Sequence, residues 1–136
     1  MAKATTLLEV NVLIALLDPQ HVHHELCHGW FASRGDAPWA SCAITQNAVL
    51  RILGNPRYPN SPGPPASVVP HLDSLVGHPN HQFWESNPSL LGQPFIERSA
   101  LVDHAQITDL YLLALATLDQ RIQVKKGEQG LELIRP

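Results

Sequence analysis

Two polar residues close the first apolar stretch of this 136-residue chain: in Thr5-Thr6-Leu7-Leu8-Glu9-Val10-Asn11, Glu9 and Asn11 stand two apart. Read as a strand, the stretch sends both side chains to one face, because strand side chains alternate with a period of two. A carboxylate beside an amide suits a hard cation with oxygen ligands. A strand end capped by polar groups is the competing reading. Asp109 follows Thr108 and heads the apolar run Leu110 to Ala116. It is either a further ligand or a short acid complementing a helix dipole. Asp119, in Ala116-Thr117-Leu118-Asp119, is a third acid, with a solvated loop as its plain alternative. Thr45-Gln46-Asn47-Ala48-Val49-Leu50-Arg51 begins polar and carries a positive charge one helical turn further on. His21, His23, His24, His28 and Cys27 contain the i,i+4 pairs His23/Cys27 and His24/His28, a spacing that can serve Zn²⁺. No third and fourth ligand of matching spacing follows, so zinc is the weaker reading. Trp30, Phe31 and Trp39 read as core rather than as a stacking platform.

The elements that must position these groups alternate. Thr5 to Asn11 reads as a buried strand, and Val12 to Leu17 as a short apolar helix that Asp18-Pro19 breaks. His24 to Arg34 places Leu26, Trp30 and Phe31 on one helical face. Pro38 to Ala43 is a second strand, and Thr45 is placed as the N-cap of a helix from Gln46 to Leu53. Five prolines between Pro56 and Pro65 make a loop. Ala66 to Val76 is helical, with Pro70 assigned to a first turn that needs no donor. His81 to Trp84 is a third strand candidate. Arg98 to Ala116 is a helix with Ile107, Leu110, Leu113 and Leu115 as core, and Leu131 to Ile134 is a last strand. Strands alternating with helices predict an α/β fold with a mostly parallel sheet. Ligands of such sheets sit beyond the carboxyl ends of the strands, where Glu9 falls.

Composition bounds the rest. One domain, residues 1–136, matches the usual ~100–200 residues per domain. Hydrophobic residues at 44% supply a core, and charged residues at 15% argue against a disordered chain. A formal net charge of −3 excludes a broadly basic nucleic-acid surface, though not a nuclease that meets phosphate through metal ions. No apolar run approaches the ~18 residues of a membrane span, so no membrane partner is expected. With two cysteines in no framework spacing and no signal-peptide pattern, the expected compartment is the cytoplasm.

Taken together, the segments resemble a known family. Leu7 to Asp18 is similar to the opening of a PIN-domain ribonuclease, specifically the VapC toxins of toxin–antitoxin pairs. His21-Val22-His23-His24-Glu25 with Trp30-Phe31, Ile44 to Leu53, Asn55-Pro56-Arg57-Tyr58, Phe83-Trp84 and Ile107 to Ala116 follow in family order. The resemblance implies a PIN-like domain whose central, mostly parallel sheet is flanked by helices. It implies an endoribonuclease whose acids hold Mg²⁺ (or Mn²⁺), with a metal-activated water cleaving RNA. Carried over by position, Glu9 is the first acid, Gln46 stands at the second, Asp109 is the third and Asp119 the acid after the next strand. Glu9, Asp109 and Asp119 are then the metal ligands, and Asn11 is the small polar partner. Thr108 is the orienter beside Asp109, and Arg51 is placed to meet an RNA phosphate. The implied partners are RNA, a small cognate antitoxin protein and a second copy in a homodimer.

Three departures weaken the implied site. Glu9 replaces the usual Asp, moving the carboxylate by about 1.5 Å where Mg²⁺ demands ligands near 2.1 Å. Gln46 replaces a Glu and removes a charge. Only nine residues separate Asp109 from Asp119, too few for the rest of a helix, a turn and a strand. The rival is therefore a catalytically impaired PIN domain serving as an antitoxin-binding or regulatory module. A receiver-type phosphoacceptor is more distant, because it needs paired acids after the first strand.

Overall fold

Strand leads into helix along the chain as the apolar pattern requires. The computed structural model describes residues 4–86, 88–91, 103–119 and 133–134. In chain order these form β1 (Thr6–Leu8), α1 (Val10–Leu17), α2 (His24–Ser33), β2 (Trp39–Cys42), α3 (Ala43–Leu53), α4 (Pro65–Val76), β3 (His81–Trp84), a 3₁₀ turn (His104–Gln106), α5 (Ile107–Asp119) and β4 (Leu133–Ile134). The strands lie in the order β3-β2-β1-β4, and every neighbouring pair is parallel.

Period-two alternation divides the core between the two faces of the sheet. Leu8 and Trp39 point to one face and meet Val12 and Leu13 of α1, Val49 and Leu53 of α3, and Val68 and Leu72 of α4. Leu7, Ala40 and Cys42 point to the other, onto Leu112, Leu115 and Ala116 of α5. The result is the layered α/β architecture that the sequence pattern predicts.

Several local expectations are corrected. β1 stops at Leu8, and Asn11 already lies inside α1, so Glu9 and Asn11 do not share a strand face. The apolar continuation Val12 to Leu17 propagates the helix back towards the strand, and no loop intervenes. Thr45 is not the N-cap of α3. That helix starts directly from β2 with Cys42 as N-cap, and the Thr45 hydroxyl accepts the Cys42 N–H at 3.0 Å from one turn inside. Pro70 lies beyond the first turn of α4, which begins at Pro65, and its ring is on the exposed side. Leu26 is 66% exposed, and Cys27 takes the buried position on α2. Ile107 and Leu113 are partly exposed, and Leu112 and Ala116 join Leu115 in the core. The expected helical start from Arg98 to Val102 lies outside the described residues.

The proline-rich loop after α3 is held at two points. Asp18, forced out of helical geometry by the following Pro19, ends α1 with a buried carboxylate. It accepts the Tyr58 hydroxyl at 2.5 Å, Asn60 Nδ2 at 3.1 Å and the Gln20 backbone N–H at 2.9 Å. Burial works to raise this carboxyl, but the bonds from Tyr58, Asn60 and Gln20, with His21 nearby, hold it below the ordinary range. At the other point Gly54 ends α3, where a Cβ would stand 2.5 Å from Leu50 O and 2.8 Å from the Pro65 ring. Only glycine lets the head of α4 approach this closely.

Candidate active site at the carboxyl edge of the sheet

Parallel strands put their carboxyl ends at one edge, and three helices begin there. α1 starts one residue after β1, and α3 starts immediately after β2. α5 belongs to the crossover leading to β4, so it runs against the strands and has its head at the same edge. Tyr111 fixes that placement. Burial pushes its phenol above the ordinary range, a hydrogen bond with Ser86 works against this, and nearby Cys42, the last residue of β2, adds to it. Three helix N-termini facing one edge give it a positive field that favours ionised carboxylates and phosphate.

Glu9 occupies the junction between β1 and α1 and is 4% exposed. Its backbone carbonyl accepts Val12 N and Leu13 N, while its carboxylate does not cap the helix. Asp109 lies in the first turn of α5 and is half-buried, with Thr108 exposed beside it. Topology therefore brings Glu9 and Asp109 to one edge. Asn11 is exposed in the first turn of α1, and Arg51 is exposed in the last turn of α3.

Asp119 is the clear departure from expectation. It follows no strand, because α5 continues through it as a single helix. Ten residues at about 1.5 Å each separate its backbone from that of Asp109 by roughly 15 Å along the axis. The two backbone positions therefore stand at opposite ends of α5. With only nine residues between the two acids, the helix absorbs the span that a turn and strand need.

Gln46, in the first turn of α3, is half-buried and donates through Nε2 to Ser41 Oγ at 2.9 Å. Ser41 is fully buried on β2, and its hydroxyl lies 2.7 Å from His81 Nε2. Burial lowers the His81 imidazole below its ordinary range, a bond to the Val76 backbone opposes this, and neighbouring His78 lowers it further. Sequence reading missed Ser41 and His81. The signal for Ser41 was one polar residue inside the apolar strand Trp39-Ala40-Ser41-Cys42.

The donor set suits a hard divalent cation in part. Mg²⁺ is commonly held by one or two carboxylates, with water and substrate phosphate completing its shell. Glu9 and Asp109 offer the carboxylate oxygens that such an ion takes. Among the described residues no group of three or more His, Cys, Asp or Glu side chains comes together as a cage. The same holds for the histidines in and just before α2. His24 Nδ1 bonds the Ala15 carbonyl at 2.7 Å, and His21 Nδ1 accepts the His23 backbone N–H at 3.0 Å.

Comparison with known proteins decides the family. Ribonuclease VapC44 of Mycobacterium tuberculosis is 46% identical over 113 residues, covering 81% of this chain and 77% of the relative. The chain belongs to the VapC ribonuclease family. Ribonuclease VapC39 of the same organism is 36% identical over 112 residues, covering 82% of the chain and 81% of the relative. No protein-family model matches. Among solved structures, M. tuberculosis VapC20, described as a Sarcin-Ricin loop cleaving toxin, superposes with a TM-score of 0.57. It shares 12% identity, over 88% of this chain and 83% of that one, and so attests the VapC fold alone. The parallel sheet flanked by helices is the PIN-like architecture of this family. Among the described residues, no helix is long and apolar enough to cross a membrane.

Proposed function

We propose that this protein is an endoribonuclease toxin of the VapC type that uses Mg²⁺ or Mn²⁺ and is held in check by a small antitoxin protein. The observation that carries the reading is 46% identity to a ribonuclease VapC over four-fifths of the chain, with Glu9 and Asp109 at the shared carboxyl edge. Glu9 and Asp109 would hold the cation. When bound, such an ion lowers the pKa of its water and offsets charge building on phosphate oxygens. The chain's own residues do the rest. The heads of α1, α3 and α5 draw the RNA phosphate to the edge, and exposed Arg51 meets the backbone further along α3. Buried Glu9 supplies a negative charge in a site of low dielectric, where its attraction is strongest.

Catalysis is weakened in this reading. Gln46 brings no charge, Glu9 carries one methylene more than Asp, and Asp119 sits a helix length from Asp109. Two carboxylates serve where the family pattern has four acids. The same three facts favour a second reading, a PIN domain that keeps antitoxin binding and has lost cleavage. One experiment separates them. Purified protein is incubated with a structured RNA across Mg²⁺ and Mn²⁺ concentrations and with EDTA. The enzyme reading expects slow cleavage that rises with either ion and stops with EDTA. Absence of cleavage at saturating metal, with antitoxin binding intact, selects the binding module.

A further inference from the structure

Two short contacts join Gln46 to His81 through the Ser41 hydroxyl. His81 lies against the Val76 backbone as well as Ser41, and with the Val76 carbonyl as acceptor the ring nitrogen facing it carries the proton. Nε2 is the nitrogen facing Ser41 and is therefore a bare lone pair. It takes the Ser41 hydroxyl proton across 2.7 Å, and Ser41 Oγ in turn accepts the Gln46 Nε2–H across 2.9 Å. The His81 ring also packs against Trp39, centroid to centroid at 4.5 Å with the two planes tilted by 58°. The resulting chain runs from α3 across β2 to the head of β3 and ends on α4. With the Ser41 proton given to His81, the link to Ser41 requires an N–H donor at position 46.

We propose that Gln46 is a positioning residue, a latch that fastens the first turn of α3 through Ser41 and His81 to the sheet, and that a carboxylate at this position is incompatible with the latch. This deepens the ribonuclease reading, since it concerns the same edge of the sheet. A carboxylate at 46 places two acceptors on the single Ser41 hydroxyl proton, leaving either residue 46 or His81 Nε2 unmatched. With residue 46 ionised and the Val76 bond kept, the chain is restored only if His81 takes a second proton, so that Nε2–H donates to Ser41 Oγ and Ser41 donates to residue 46. His81 resists that proton because it is partly buried and follows His78. Asp73, one turn before Val76 on α4, is the other titratable group lining the cleft with Gln46 among the described residues. The missing family charge is thus replaced by a neutral donor that its surroundings require.

The test follows the imidazole directly. Nitrogen-15 NMR of the full chain reports which His81 nitrogen is protonated, for the parent, Gln46→Glu, Ser41→Ala and the Ser41→Ala/Gln46→Glu pair. Thermal unfolding and Mn²⁺ binding by the same four proteins run alongside. In the parent, His81 is expected to be neutral at pH 7 with its proton on the nitrogen facing Val76. Gln46→Glu should raise its titration midpoint by about one pH unit or more, a tenfold change in protonation. The same variant should melt lower at pH 8 than at pH 6 relative to the parent. In the Ser41→Ala background, Gln46→Glu should leave His81 unmoved, because the connecting hydroxyl is gone. An unchanged His81 in Gln46→Glu, with unchanged melting and tighter Mn²⁺ binding, overturns the latch and makes Gln46 a lost ligand. The NMR and melting arms need no RNA, so a parent that cleaves nothing rejects the ribonuclease reading without touching this one.

Discussion

Replacing Tyr58 by Phe removes a single oxygen, and its consequence can be worked from the contacts of Asp18. The phenol gives a 2.5 Å hydrogen bond to a carboxylate that is 5% exposed. Burial and the Asp18 charge push the phenol well above its ordinary range, so it stays a donor at every usable pH. Losing a hydrogen bond to a charged group costs about 1.5–3 kcal/mol. At roughly 2.1 cal/mol/K of unfolding entropy per residue, 1 kcal/mol moves the Tm of a chain this size by about 3–4 °C. Tyr58→Phe should therefore melt about 5–10 °C below the parent at pH 7. The pH dependence has a definite sign. Asp18 has a lower pKa folded than unfolded, so its contribution is present above about pH 4 and fades as pH falls through the folded value. Removing the Tyr58 bond raises the folded pKa, so the gap between the two proteins is full at neutral pH and narrows in acid. Scanning calorimetry from pH 3 to pH 8 reads both quantities. A variant that melts with the parent at pH 7, or whose deficit is the same at every pH, refutes the clamp.

Three further expectations follow from packing and placement. Gly54→Ala forces a methyl group against Leu50 O and Pro65, and should cost about 1–3 kcal/mol in denaturant unfolding. Glu9→Asp restores the shorter carboxylate and should strengthen Mn²⁺ binding and speed RNA cleavage together, read by calorimetry and gel assay. Asp119→Asn should leave Mn²⁺ affinity unchanged to within about a factor of two, since ~15 Å of helix separates it from Asp109.

The fold was legible where periodicity was strong. His81–Trp84 is a strand at the expected residues, and α2 and α4 fall within a residue of theirs. Boundaries went astray where one element runs straight into the next. Neither the β1–α1 nor the β2–α3 junction has a loop, so the turn and cap residues that mark such boundaries are absent from the sequence. Glu9 and Asp109 were legible as acids at strand and helix ends. Asp119 was misplaced because family order was carried across a stretch too short to build the family's strand. The anomaly in spacing was visible, but whether the helix or the strand would give way depends on tertiary packing. The Ser41–His81 pair was hidden for a different reason. The partners lie 40 residues apart in sequence and meet only through the parallel pairing of β2 with β3.

In the proposed ribonuclease, Glu9 and Asp109 share one divalent cation at the carboxyl edge of the sheet. A double-mutant cycle by calorimetric Mn²⁺ titration, using Glu9→Gln, Asp109→Asn and the pair, tests it most directly. Residues acting on one ion are strongly non-additive. Each single change is predicted to weaken binding by about tenfold or more, and the pair to bind little worse than the weaker single variant. Strictly additive losses, or a single variant that binds Mn²⁺ like the parent, would contradict it.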